Sequence, residues 1–247
     1  MQYNTRRKEK RTSPPANRPS SPPLYRLVVF DMDGVLVDVE SSWVYVHHHY
    51  GTNHDGGMEA YNRGEIDDHE FMHRDIEIWK SKKNPIHYTD IERIVATIPI
   101  MKGARETIKT LRENGVEVAI VSAGLMPLAK RLGKELGIEH LYANDLATDE
   151  EGYLIGKGVL GVELKNKGEP IDVLARKLGV ERKSIAAVGN SYIDIPMFEK
   201  SGLGIAFNPS DEKIKQAAEV VIEKKDLREI IPHVLSQHKT KSTPDAT

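Results

Sequence analysis

Short apolar runs that do not alternate with polar residues recur along this chain, and they restrict its fold more than any other feature. Leu27–Val28–Val29–Phe30 is one; VEVAIVS (116–122), SIAAVG (184–189), LGIAF (203–207) and EVVIE (219–223) are others. Side chains of a strand point alternately to its two faces, so a run apolar at successive positions is covered on both sides. Between these runs lie helical patterns at about 104–114, 126–136, 168–178, 194–200, 211–218 and 226–235. Asn114–Gly115, Gly137 and Gly179 stop the first three of these helices. Strand and helix in short alternation predict an α/β fold, a parallel sheet with helices on both faces. YANDLATDEEGYLIGKG (142–158) reads as a strand and a hairpin with Gly152 in its turn.

The rhythm breaks once. Residues 40–98 carry helical patterns and no strong strand, which predicts a mostly helical domain at 42–98 inserted into a core of 24–41 and 99–236. Ile66, Phe71, Ile78 and Trp79 are expected to line a helix face there; Trp43, Tyr45 and Tyr50 suit either core or pocket lining, with core the expectation. His47, His48 and His49, with His54 nearby, invite a metal reading. Neighbouring helical residues face different directions, so a solvated surface is the expectation.

The ends differ in composition. Residues 1–23 hold Arg6, Arg7, Lys8, Lys10, Arg11 and Arg18 against Glu9, with five prolines, and are expected to be a disordered basic tail. Such a tail suits tethering to nucleic acid or anionic lipid, but a solvated extension requires less. Residues 237–247 read as a second flexible tail. The net charge of −2 gives the 247-residue chain no overall preference for nucleic acid or membrane. The absence of cysteine removes disulfides, thiolate metal sites and thiol catalysis together. No apolar run is long enough to span a bilayer, and the N-terminus lacks the apolar stretch of a secretory signal. A cytoplasmic protein, monomer or homodimer, acting on a small molecule without a membrane or nucleic-acid partner is the expectation.

Chemistry is expected where the strands end. In open α/β sheets ligands bind beyond the carboxyl ends of the strands, and the run 27–30 stops at Asp31, followed by Asp33 and Gly34. Carboxylates this close repel, so a cation or a raised pKa is required. Magnesium fits, since it takes oxygen ligands from one or two carboxylates plus a substrate phosphate. Ser122–Ala123–Gly124 offers a hydroxyl and backbone N–H groups to an anion. Lys167 begins a helix, where a cation opposes the helix dipole unless an anion lies close. Asn190 and Asp194 follow the strand SIAAVG. Each of these alone reads as a cap, a turn or a solvated side chain. Their order, each at its own strand end, points to phosphate chemistry.

With these motifs in place, the chain resembles the haloacid dehalogenase superfamily of phosphohydrolases, and within it the phosphoserine phosphatase-like branch. FDMDGVL is the first motif, VSAG the second, KNKGEPI the third and VGNSYIDIPMF the fourth; the resemblance covers nearly all of 25–235. It implies a Rossmann-like core with a helical cap inserted at 42–98. It implies that Asp31 is the nucleophile, forming an aspartyl-phosphate, and that Asp33 is the acid and base. Ser122, Ala123 and Lys167 would bind the phosphoryl group. Mg²⁺ would be held by Asp31, the Asp33 carbonyl, Asn190 and Asp194. The substrate implied is a small phosphorylated metabolite, with phosphoserine the branch's own.

Two residues depart from the pattern. Asn190 stands where the fourth motif normally has Asp, which removes a negative charge and predicts weaker Mg²⁺ binding with a larger share for Asp194. Ile193 stands where Asn is common. Glu40 matches the acid that binds the substrate amino group in phosphoserine phosphatases. Their cap Arg, which binds the carboxylate, falls on Asp75 in an ungapped alignment, with Arg74 adjacent. A catalytically weakened or non-catalytic binding protein, and a phosphotransferase to an acceptor other than water, are the alternatives.

Overall fold

The strands assemble as their composition requires. In the computed structural model, which describes residues 23–53 and 56–236, seven strands form one sheet in the order β4-β3-β2-β1-β5-β6-β7. They are β1 (Leu27–Phe30), β2 (Glu117–Leu125), β3 (His140–Thr148), β4 (Leu154–Val159), β5 (Ile185–Gly189), β6 (Leu203–Phe207) and β7 (Val220–Ile222). All neighbours run parallel except the β3–β4 hairpin. The readings placed on 1–22, on 237–247 and on His54 lie outside the described residues.

Consecutive apolarity is explained by two cores. Val28, Phe30, Ile120 and Val188 face Ile108 and Leu111 of α5 (Ala104–Glu113) and Leu128 and Leu132 of α6 (Met126–Leu136). Leu27, Val29, Val121 and Ala187 face Ile171 and Leu174 of α7 (Glu169–Leu178) and Met197 of α8 (Ile195–Glu199), with Ile214 of α9 (Glu212–Ala217). Each buried Val, Leu or Ile side chain contributes about 1.5–3 kcal/mol relative to exposure. The helix expected at 226–235 is broken at its start, where Leu227–Ile230 forms a 3₁₀ turn before α10 (Ile231–Leu235); another 3₁₀ turn, Tyr192–Asp194, leads into α8.

Between β1 and α5 the described residues make four helices: α1 (Ser42–Tyr50), α2 (Gly57–Asn62), α3 (Asp68–Lys82) and α4 (Tyr88–Val95). The two connections to this helical segment lie side by side. Val37 bridges Ile100, Asp38 donates its N–H to Pro99 O at 2.9 Å, and Met101 donates to Leu36 O at 2.9 Å. Inside the segment Trp43 stacks on Trp79 with centroids 5.3 Å apart. The buried face of α3 is Phe71, Met72, Asp75, Ile76 and Trp79. Ile66 and Ile78, expected on that face, are only half-buried at its margin.

The histidine triplet divides. His48 and His49 are exposed as expected, whereas His47 is fully buried. His47 Nε2 lies 3.1 Å from Asp75 Oδ1, and Nδ1 pairs with Thr52 Oγ1 at 2.8 Å. Position on α1 decides this: His47 lies one turn from Trp43, on the face that meets α3, and polar partners offset the cost of its burial.

The segment closes onto the sheet through α3 and β4. His73 Nδ1 meets Gly156 O at 2.6 Å, and Asp68 Oδ1 accepts the N–H of Leu164 at 3.0 Å. Lys165 donates to Tyr61 O at 3.1 Å and lies over the Tyr61 ring.

Candidate active site

The carboxyl ends of β1, β2 and β5 converge, as a parallel sheet dictates. Asp31 follows β1 directly and is anchored by its N–H to Val188 O at 2.9 Å. The turn after it uses Met32 O as acceptor for the N–H groups of Val35, Leu36 and Val37. Gly34 sits in that turn at φ +75°, and a Cβ there would lie 2.2 Å from Asn190 Nδ2. A side chain at 34 is therefore excluded both by backbone conformation and by the Asn190 amide.

Lys167 joins two strand ends. Its Nζ lies 2.6 Å from Asp31 Oδ1 and 2.5 Å from Asp194 Oδ1, and all three side chains are almost wholly buried. Asp194 is engaged through both oxygens, because Oδ2 accepts the N–H groups of Asn190 at 2.7 Å and Ser191 at 3.1 Å. Asp194 thus shapes the turn after β5 and holds Lys167. Its expected larger share in binding Mg²⁺ meets a carboxylate whose oxygens already have partners.

Asp33 is buried beside them. Its Oδ2 accepts the N–H and the hydroxyl of Ser42, each at 2.8 Å, and its Oδ1 is buried without a hydrogen-bond partner. Ser122 Oγ accepts the N–H of Gly124 at 3.1 Å. The carbonyl of Ala123 accepts Trp43 Nε1 at 3.1 Å and Asn144 Nδ2 at 3.2 Å. Asn144 also accepts the N–H groups of Gly161 and Val162, both at 2.8 Å, and so ties the turn at 122–124 to the chain leading to Lys167.

Charge in this cluster is unbalanced. Burial pushes the Asp31 carboxyl up to about 7, with Asp194 adding to the shift and Lys167 opposing it. Burial likewise pushes Asp33 up to about 6, against the hydrogen bonds from Ser42. For Lys167 burial alone would lower the pKa, but Asp194 and Asp31 outweigh it and hold the ammonium above the usual lysine range. Three buried carboxyls thus face one ammonium.

A magnesium ion suits that deficit. The oxygen donors at hand are the Asp31 carboxylate, the Asp33 carbonyl and the Asn190 amide, which lies against Gly34. Among the described residues no three His, Cys, Asp or Glu side chains are grouped as a metal site. A set of one carboxylate and neutral oxygens still fits Mg²⁺, which keeps several waters and takes few protein ligands.

The model of the haloacid dehalogenase-like hydrolases matches residues 25–202, from β1 through the end of α8. The chain belongs to the haloacid dehalogenase-like hydrolase family. Within that family it falls in the phosphoserine phosphatase-like branch. It is 35% identical over 205 residues to a phosphoserine phosphatase of Archaeoglobus fulgidus, covering 82% of this chain and 58% of that protein. It is 31% identical over 218 residues to one of Wolinella succinogenes, covering 85% of this chain and 100% of the relative. A solved phospho-aspartyl intermediate analogue of phosphoserine phosphatase superposes with a TM-score of 0.71 at 28% identity, over 85% of this chain and 99% of the other.

In this chain the sequence-expected residues separate into two groups. Asp31, Asp33, Ser122, Lys167 and Asp194 are buried at the strand ends, with Ala123 and Asn190 half-buried among them. Glu40 is exposed, and Arg74 is exposed on α3 and paired with Glu70 at 2.8 Å. Asp75, next to Arg74, is buried against His47. Ser42 and Asn144 support the site without having been expected to, and Trp43, expected in the core, also donates to the Ala123 carbonyl. A polar residue amid the strand YANDLAT is the one sequence signal that could have pointed to Asn144. Among the described residues no helix is long and apolar enough to cross a membrane.

Proposed function

We propose that this protein hydrolyses phosphate monoesters of small metabolites through a phosphorylated Asp31. The observation that carries the reading is the buried contact between Asp31 and Lys167 at the end of β1, with Asp33 two residues on. Asp31 attacks phosphorus, and the bond from phosphorus to the ester oxygen breaks. Asp33 gives its proton to the departing alcohol oxygen, then takes one from the water that attacks the phosphoryl group and frees Asp31. Dividing one displacement into two is the gain of covalent catalysis. Lys167, the Ser122 hydroxyl and the backbone N–H of Ala123 hold the phosphoryl oxygens, since phosphoryl transfer is catalysed mainly by positioning and charge.

The Asp31 carboxylate, the Asp33 carbonyl and the Asn190 amide would hold Mg²⁺, whose positive charge offsets repulsion between the carboxylate and a phosphate dianion. Asp194 acts as a positioning residue for Lys167. The helical segment 42–98 serves as the cap domain that excludes water from this site.

Phosphoserine is the substrate that the relatives' names suggest. Recognition of its amino and carboxyl groups would fall to Glu40 and Arg74. The exposure of both, and the ion pair that already occupies Arg74, favour a small phosphate monoester as the general substrate. Asn190 in place of an acid supports a second reading, a weakened hydrolase.

Release of inorganic phosphate from p-nitrophenyl phosphate and from a panel of phosphorylated metabolites, with Mg²⁺ and with chelator, tests the reading. Mg²⁺-dependent release that Asp31→Asn abolishes is expected. Phosphate release that persists in Asp31→Asn would exclude it. Transfer of the phosphoryl group to an added alcohol in preference to water would assign a phosphotransferase instead.

A further inference from the structure

Ser42 is the first residue of α1 and has no exposed surface. Its backbone N–H and its hydroxyl both reach the same atom, Asp33 Oδ2, at 2.8 Å each. The direction of the hydroxyl proton follows from its other contact. Ser42 Oγ accepts the N–H of Leu125 at 3.0 Å, so the single hydroxyl proton is left to donate to Asp33. The space around this contact is closed. A Cβ on Gly124 would lie 2.6 Å from Asp33 Oδ2 and 2.7 Å from Ser42 Oγ.

The two oxygens of Asp33 are therefore different. Oδ2 receives two donors and is held in the acceptor role, while Oδ1 is buried without a hydrogen-bond partner. A proton on this carboxyl belongs on Oδ1, the oxygen free to pass it on. The side chain cannot rotate to exchange the two without breaking both bonds to Ser42.

We propose that Ser42 is a positioning residue of the phosphatase reaction, anchoring Asp33 by Oδ2 so that Oδ1 exchanges the proton with the leaving oxygen. The proposal rests on the acid role given to Asp33 above. It also makes the first turn of the cap segment part of the acid's mounting, so that Asp33 is fully placed only when α1 is docked on β2.

The test compares leaving groups. An alkoxide departs only with a proton, whereas p-nitrophenolate departs without one. Ratios of kcat/KM for an alkyl phosphate monoester that the wild type turns over and for p-nitrophenyl phosphate are measured in wild type, Ser42→Ala, Ser42→Thr and Asp33→Asn, with Mg²⁺ saturating. Ser42→Ala is expected to lower the alkyl ester's kcat/KM on the order of tenfold more than that of p-nitrophenyl phosphate, and Ser42→Thr to restore the ratio. Asp33→Asn should show a larger split in the same direction. Equal losses on both substrates in Ser42→Ala, with the split intact in Asp33→Asn, would overturn the role of Ser42 alone. No split in Asp33→Asn would remove the acid role itself, and the proposal with it. Should Ser42→Ala not fold, Ser42→Cys, which keeps the size with a weak donor, is read by the same ratio and the same outcomes.

Discussion

Lys167 Nζ lies 2.6 Å from Asp31 Oδ1 in a site where both side chains are almost wholly out of water. The same ammonium serves Asp194, so Asp31 has half a counterion. A carboxylate in that position suits the proposed role of Asp31, which needs a further cation and an incoming phosphorus atom. The consequences reach stability, metal use and rate.

The charge deficit predicts an unusual pH dependence. Burial pushes Asp31 up to about 7 and Asp33 up to about 6, above the ordinary aspartate value of about 3.9. The folded state therefore keeps protons that the unfolded chain has released. Their stabilising contribution is complete below about pH 4 and is lost as pH rises through 6 to 7. Asp31→Asn removes one of these groups and leaves Lys167 paired with Asp194. The variant should melt higher than wild type at pH 8 in chelator, and the gap should shrink towards pH 5. Thermal melts across that range check this; a variant less stable at pH 8 would refute it.

In the proposed metal site Asn190 would supply a neutral oxygen where a charged one would bind Mg²⁺ more strongly. Asn190→Asp should lower the Mg²⁺ concentration for half-maximal activity about tenfold, a change of about 1.4 kcal/mol. A Mg²⁺ titration of phosphate release decides. An unchanged midpoint would remove Asn190 from the metal's surroundings.

Gly124 has no room for a side chain, since a Cβ would meet Asp33 Oδ2, Ser42 Oγ and Met32 Cε within 2.7 Å. Gly124→Ala should fold with reduced stability and lose at least about tenfold in kcat/KM, because displacing a proton donor by a fraction of an ångström spoils its alignment. Steady-state kinetics alongside a denaturation curve separate the two effects.

His47 and Asp75 tie α1 to α3 inside the helical segment, 3.1 Å apart and buried. Asp75→Ala removes the carboxylate beside the buried His47 Nε2 and should cost about 2–3 kcal/mol of folding stability. A double-mutant cycle with His47→Ala, read by urea denaturation, should show coupling between the two. Additive losses would contradict the pairing.

Much of this fold was legible because its signals are local. A run such as Leu27–Phe30 must be covered on both faces, and the polar residues that end such runs must lie at one edge of a parallel sheet. Asp31, Ser122 and Asp194 lie together at that edge; Lys167 ends no strand and reaches Asp31 and Asp194 from the turn before α7. What such reasoning missed depends on contacts between distant segments. Ser41 and Ser42 look alike as helix caps; Ser41 caps α1, and only the closing of the chain brings Ser42 to Asp33. His47 is one of three identical residues, and its burial follows from Asp75 on another helix. Asp194, expected among the Mg²⁺ ligands, has its oxygens on Lys167 and two backbone N–H groups, contacts that a single strand end does not reveal.

The central claim is a bond between Asp31 and phosphorus. Incubation with labelled phosphate monoester and Mg²⁺, rapid acid quench, and peptide mass analysis test it directly. The account predicts a phosphoryl group on the peptide containing Asp31, absent in Asp31→Asn and accumulating in Asp33→Asn with an activated ester. Turnover with no adduct on Asp31 at any quench time, or with the adduct on another residue, would contradict it.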